Sequence, residues 1–347
     1  MLFTNFMNFR SVLKKILGFR KPPAISGALW KFFKERDIKI LDVGARGGPL
    51  EGFKILAPFS HLFLCEPDSR EAERLLQEPT LKKEWRDFTV MPMALGENSG
   101  KGILNITHYP GLSSIFEPDH SVIKQFFPSI SPFRKESCEA WEVASREEVP
   151  VMSLDEASEK YGCRDLTVLK LDTQGSELSI LRSGKKVVSS TLVVMTEAEF
   201  LPFYKNQPLF SSVHGFLSER GFRLLDIKRT FLRRAYPVPR PVFSKRELAY
   251  AHAFYVREKN NDGSELFRDA KIKLICFAIA FWYFDYALKL LRDKEMARFL
   301  ADSGFAGLEK EIVCYADAVW KSIKFVLPKK EREKYLNFAF QDKVREL

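Results

Sequence analysis

The sequence predicts an α/β protein: a largely parallel, doubly wound sheet with helices on both faces, followed by a C-terminal helical extension. Three observations predict it. Short apolar runs alternate with longer stretches of helical period, the mark of stacked strand and helix units. Several of the runs end in a carboxylate next to turn residues, as in "ILDVGARGG" and "FLCEPD". From "EKNNDGSE" onward the chain turns polar and turn-rich, and beyond it strand signal almost vanishes. At 347 residues, 46% of them apolar, the chain can bury a large core in one domain with an appendage.

Taken in order, "KILDV" is the first strand, and "HLFLCEPD" (residues 61–68) the second, followed by a charged helix through Glu71, Arg74 and Leu75. "FTVMPMAL" (88–95) reads as a third strand, and after the turn "GENSGKG" the run "ILNITHY" reads as an antiparallel or edge addition. In "VPVMSLDEASEKYG", Ser153 is placed to cap a helix that opens at Leu154, with Glu156 completing a capping-box pattern. "LTVLKLD" (166–172) and "TLVVMTEAE" (191–199) are two more buried strands. "FSSVHGFLSERGF" is a helix before the late strand "RLLDIKR", and "LAYAHAFYVRE" is the closing strand. This divides the chain into a basic amphipathic segment (1–30), an α/β domain (31–260) and a helical region (261–347).

The formal charge of +10 is moderate and fits either an anionic partner or a solvated surface. The N-terminal segment has no acidic residue, and Phe6, Phe9, Leu13, Ile16 and Leu17 share one helical face. That suits a helix docked on its own domain, a peripheral membrane contact or a targeting peptide, but not a secretory signal. "LICFAIAFWYF" (274–284) is too short to span a bilayer, which takes about 20 residues, and reads as a buried helix. Five widely separated cysteines without C-x-x-C or metal spacing fit free thiols in a reducing, cytoplasmic setting. The five histidines do not cluster, which argues against a zinc site, and no aromatic and basic interleaving suggests nucleic-acid binding.

Asp42 narrows the ligand. In such sheets the ligand sits beyond the carboxyl ends of the strands, where glycines let the backbone approach it. A dinucleotide would bring a pyrophosphate, which Asp42 would repel, and no G-x-G-x-x-G is present. S-adenosylmethionine brings an ammonium and a sulfonium, which an acid attracts. Glu66, about two dozen residues on at the end of the second strand, stands where a carboxylate reaches a ribose diol.

Four blocks then resemble the FkbM family of S-adenosylmethionine-dependent methyltransferases. They are "ILDVGARGG", "FLCEPD", "MALGENSGKGILNI" with "GLSSIFEPD", and "VPVMSLDEASEKYGCRDLTVLKLDTQGSELSILRSG". The core "KLDTQGSE" (170–177) is similar to the family's K-[IL]-D-x-[EQ]-G-x-E, and "TEAEFLPFYKNQPLFSSVHGFLSERGF" continues the likeness. It covers residues 39–257, about two thirds of the chain. The resemblance implies a class I methyltransferase fold, a Rossmann-like seven-stranded sheet with a reversed last strand, and O-methylation of hydroxyls on sugars, glycans or related metabolites. It implies that Asp42, Gly44 and Ala45 border the methionine part of the cofactor, that Glu66 takes the ribose, that Pro67 and Asp68 shape the turn beside it, and that Met93, Ala94 and Leu95 lie near the adenine. Two positions depart from the pattern: Arg46 in the glycine loop, which would salt-bridge locally or reach the methionine carboxylate, and His252, where relatives often carry an acid.

Methyl transfer to a hydroxyl needs positioning and a group to take the proton. Asp172, at the end of the fourth strand, is the best-placed base; Glu177 suits loop or cap hydrogen bonding better than catalysis. Glu197 is a second catalytic candidate, and Glu197, Glu199 and Asp172 together offer oxygen ligands for a divalent cation, although no metal motif supports one. His108 and His120 bracket the loop "GLSSIFEPD" (111–119), which would overhang the cleft, and Ser113 and Ser114 offer hydroxyls there for substrate contact or for hydrogen bonds within the loop. The basic stretch 227–246 would receive an anionic acceptor, face a lipid surface or remain solvated. A nicotinamide-dependent oxidoreductase and a catalytically silent binding module are the competing readings.

Overall fold

The computed structural model describes residues 23–129, 137–235, 245–260 and 262–324. The basic N-terminal run and the middle of the 227–246 stretch lie outside them. The chain forms two compact units: residues 37–49 with 56–274, and residues up to 36 with 50–55 and 275 onward.

The larger unit holds a seven-stranded sheet. Its strands are β1 (Ile38–Val43), β2 (Ser60–Cys65), β3 (Asp87–Met91), β7 (Val168–Leu171), β8 (Val193–Glu199), β9 (Phe222–Leu232) and β10 (Glu247–Arg257), in the spatial order β3-β2-β1-β7-β8-β10-β9. β10 runs antiparallel to both neighbours, β8 and β9, while the β1, β2, β3, β7 and β8 pairings are parallel. β1, β2 and β7 are buried almost throughout, as central parallel strands covered on both faces are.

Leu41, Val43, Leu169, Leu171, Val194, Ala253 and Tyr255 all join one core cluster, which also takes Leu154, Leu178, Leu181 and Leu217 from the neighbouring helices. These strand residues share one face, since side chains alternate along a strand.

Local signals account for the element ends. Asp68 caps the helix Ser69–Gln77 by accepting from Arg70 N. Ser153 caps Leu154–Tyr161 by accepting from Glu156 N, and Gly162 ends that helix at φ +72°.

The run 88–95 is not one strand. Pro92 has no N–H to give to a ladder, so β3 stops at Met91, and β4 (Ala94–Leu95) enters a second, three-stranded sheet with β5 (Gly100–Thr107) and β6 (Val143–Met152). β6 carries polar residues through most of its length, so no apolar run marks it in the sequence and no strand is predicted there.

In the smaller unit the helix Gly27–Lys34 packs with Leu308–Lys324, and Phe32 meets Phe305 edge to face at 5.5 Å. The predicted helical region contains Arg268–Ala280, Phe284–Leu291, Lys294–Asp302 and Leu308–Lys324. No helix among the described residues is long and apolar enough to cross a membrane. The cysteines in the described residues are free thiols.

Candidate active site

A buried lysine organises the site. Lys170 interrupts the apolar strand "VLKL" directly opposite Asp42 in the β1/β7 register, and its Nζ stands 2.8 Å from Asp42 and 3.5 Å from Asp172. Asp42 is wholly buried, and its contact with Lys170 lies off the hydrogen-bonding direction, leaving both carboxylate oxygens without a well-aligned donor. Burial pushes the Asp42 carboxyl up to about 6 against the pull of Lys170. Burial also acts on Lys170, but its two carboxylates hold it charged above the ordinary lysine range.

After β1 the backbone turns through Gly44, Gly47 and Gly48 at φ +78°, +80° and +90°, conformations that favour glycine. Gly44 and Ala45 donate to Cys65 O at 3.0 and 3.1 Å, which fastens the loop to the end of β2. There Glu66 is buried and accepts from Asp68 N at 3.0 Å. Burial raises its carboxyl, with Arg46 opposing. Arg46 resolves as the local bridge: it donates to Asp68 at 2.6 Å and lies 3.7 Å from Glu66. Pro67 lies half-buried in this turn, and the side chains of Met93, Ala94 and Leu95 point into apolar clusters.

Beyond β7, Gln174 bridges two carboxylates. Its Nε2 donates to Asp172 at 3.0 Å and to Glu197 at 2.7 Å, and Tyr204 Oη donates to its Oε1 at 3.1 Å. The residue sits at φ +58°, a strained position for a side chain other than glycine, asparagine or aspartate. Burial works against Asp172, but Lys170, His252 and the Gln174 amide outweigh it and hold the carboxyl below its usual range. Glu197 goes the other way, raised well above normal by burial and then by Asp172. The two carboxyls are thereby pushed in opposite directions, Asp172 toward the ionised form and Glu197 toward the protonated one. Asp172, so stabilised as an anion, is a weak proton acceptor.

Glu177 serves the loop, accepting from Thr173 N at 2.8 Å, Thr173 Oγ1 at 2.9 Å and Gly175 N at 3.0 Å. Glu199 is buried at the end of β8. Among the described residues no group of three or more His, Cys, Asp and Glu side chains is placed to hold a metal ion.

A Gln174→Glu protein should lose about 1–3 kcal/mol of stability at pH 8, because an acceptor replaces the amide that both carboxylates use. Crowded by like charge, the new carboxyl has a folded-state pKa above its unfolded one. The protein is therefore relatively more stable below about pH 4, and the deficit grows as pH rises through the folded value. Urea unfolding at pH 5 and pH 8 checks the difference.

The overhanging loop is anchored on the second sheet. Asn105 Nδ2 donates to the carbonyls of Ser114 and Phe116 at 3.3 and 3.2 Å. Ser114 Oγ donates to Gln174 O at 2.8 Å and accepts from Phe116 N, while Ser113 Oγ accepts from Thr107 N. Both hydroxyls are engaged within the protein; His108 is exposed and His120 half-buried.

Four residues without an assigned role in the sequence reading prove central: Lys170, Gln174, Tyr204 and His252. A lysine inside an otherwise buried strand was the one visible signal, since a buried charge demands a partner.

The strand order, the reversed β10 and the carboxylates at consecutive strand ends define a class I methyltransferase fold. Residues 42–224, just over half of the chain, match the model of the methyltransferase FkbM domain, and the chain belongs to this family. It is 24% identical over 195 residues to the 2-O-methyltransferase NoeI of Sinorhizobium fredii (strain NBRC 101917 / NGR234), covering 55% of this chain and 76% of that one. Among solved structures, TrmK of M. capricolum with S-adenosyl-homocysteine is 9% identical at a TM-score of 0.32, covering 86% of this chain and 100% of that one. Precorrin-6y C5,15-methyltransferase of Geobacter metallireducens GS-15 is 11% identical at a TM-score of 0.31, covering 69% and 95%. At that distance the structural overlaps carry no functional information.

Proposed function

We propose that the protein transfers a methyl group from S-adenosylmethionine to a hydroxyl of a sugar or glycan. The observation that carries this reading is the set of carboxylates Asp42, Glu66 and Asp172 at the ends of the adjacent strands β1, β2 and β7, next to a glycine loop. The donor set suits a cationic ligand: Asp42 keeps unfilled acceptor capacity, and around Gly47 nothing lies within 4 Å of where a Cβ would stand. A pyrophosphate would face the same carboxylates and be repelled.

When bound, S-adenosylmethionine supplies an electrophilic methyl on a positively charged sulfur. Glu66 would accept from the ribose hydroxyls, while Asp42 and the ionised Asp172 would draw the cationic end toward the sheet. The loop 110–119 and the wall formed by Glu197 and His252 would orient the acceptor, a positioning effect that supplies much of the rate in displacement reactions. A hydroxyl-rich acceptor suits a wall of carboxyl groups, and the relative NoeI is named for 2-O-methyl transfer.

Calorimetric titration with S-adenosylmethionine, S-adenosylhomocysteine and NAD tests the reading. Micromolar binding of the first two, weakened at least tenfold (about 1.4 kcal/mol) in Glu66→Ala, is the expected result. Binding of NAD alone would overturn it.

A further inference from the structure

We propose that His252, rather than Asp172, takes the proton from the acceptor hydroxyl. The inference rests on the methyl-transfer reading above and comes from strand register. His252 on β10 lies directly opposite Glu197 on β8 and Lys228 on β9. Directly opposed residues put their side chains on the same face, with Cβ atoms about 4.5–5.5 Å apart. One step past the end of β7, Asp172 falls in line with Glu197, as their shared Gln174 amide requires. Asp172, Glu197, His252 and Lys228 thus form one polar row across four strands, on the face opposite the main core cluster.

Of the three proton acceptors in this row, the imidazole is the one without a hydrogen bond among the described residues. Asp172 is tied to Lys170 and Gln174, and Glu197 to Gln174. Glu177 is tied to Thr173 and Gly175. His252 is half-buried, has the Tyr250 ring edge-on at 6.2 Å and makes no hydrogen bond among the described residues.

Its surroundings suit proton transfer. Burial, Lys170 and Lys228 disfavour the imidazolium, so the ring is neutral and ready to accept. Asp172 opposes them and would stabilise the charge once the proton arrives. Glu197, whose carboxyl burial and Asp172 push upward, faces the ring from β8, and Tyr250 lies beside it on its own strand. An imidazole also accepts a proton more readily than a carboxylate held below its ordinary range.

The step balances simply. The hydroxyl oxygen bonds to the methyl carbon as the carbon–sulfur bond breaks, the bonding pair stays on sulfur, and the hydroxyl proton passes to the imidazole and then to water.

Two measurements test this. Nitrogen-15 NMR of histidine-labelled protein, with His252 assigned by its absence in His252→Gln, should show a neutral ring at pH 7.5 that titrates below the ordinary value. A ring protonated at pH 7.5 would overturn the proposal whatever the acceptor. Transfer of tritiated methyl from S-adenosylmethionine to a panel of methyl hexosides, methyl deoxyhexosides and chitotetraose gives the second readout. His252→Gln should lower kcat about 100-fold or more while cofactor affinity changes less than about threefold, and it should abolish the acid limb of the pH profile. Added imidazole should restore part of the rate in His252→Ala. Full transfer by His252→Gln would refute the role. If no panel member is methylated by a native protein that binds the cofactor, the NMR titration alone decides. A native protein that does not bind the cofactor would overturn the methyl-transfer reading and this inference with it.

Discussion

Replacing Lys170 with Met should lower the unfolding free energy by about 3–5 kcal/mol at pH 8, since removing one member of a buried ion pair leaves an uncompensated charge. Asp42 depends on this lysine most, being wholly buried with no well-aligned hydrogen bond; Asp172 loses its nearest cation as well. The loss should depend on pH with a definite sign. Burial already raises Asp42 to about 6 with the lysine present, and without it the carboxyl rises further. A folded-state pKa above the unfolded one means that the folded protein holds the proton more tightly. The resulting stability is fully present below about pH 4 and disappears as pH rises through the folded value. Urea denaturation of both proteins from pH 5 to pH 8 should therefore show a deficit that narrows toward pH 5. Adding Asp42→Asn to the variant should recover part of it, and equal deficits across the range would rule this account out.

Gly44→Ala should destabilise by about 2–6 kcal/mol and abolish cofactor binding. Two costs combine. At φ +78° a Cβ is strained by about 1–3 kcal/mol, and here it would also stand 1.9 Å from the carbonyl oxygen of Asp172. That neighbour is backbone at the end of β7, so relief requires prising apart the strand ends that carry Asp42 and Asp172. Gly47→Ala is the control: it has nearly the same φ but nothing within 4 Å, so only the conformational cost applies. Thermal melts with and without S-adenosylmethionine check both. Similar losses in the two variants would mean that the close approach to Asp172 contributes little.

Much of the fold was legible because its central strands are apolar on both faces and end in acids. Asp42, Glu66 and Asp172 stand out in "KILDV", "HLFLCEPD" and "LTVLKLD" for that reason. Pro92 was legible too, yet the apolar residues on either side of it read as one strand. The pairing of Lys170 with Asp42 was less accessible, because it depends on β1 and β7 being neighbours although they lie far apart in sequence. His252 was harder still. Its place opposite Glu197 follows from the register of an antiparallel strand inserted between β8 and β9, and register is set by long-range pairing. Gln174 looked like one polar residue in a polar loop, and only the fold brings Glu197 and Tyr204 to its two amide atoms. The helix Gly27–Lys34 packs with a helix almost three hundred residues away, which no local periodicity reveals.

The order in which the ribosome delivers the strands does not match their order in the sheet. β8 is made well before β10, yet β10 is its partner on that side, and β9 emerges in between without a place to pair until β10 arrives. During synthesis, while N-terminal elements fold first, the nascent chain exposes an unpaired strand edge that carries Val193, Val194 and Met195. Insertion of β10 closes that edge and delivers His252 in the same event. A chain released short of Arg257 would therefore be both sticky and inert, and β10, the last strand among the described residues, completes the sheet and the cleft together.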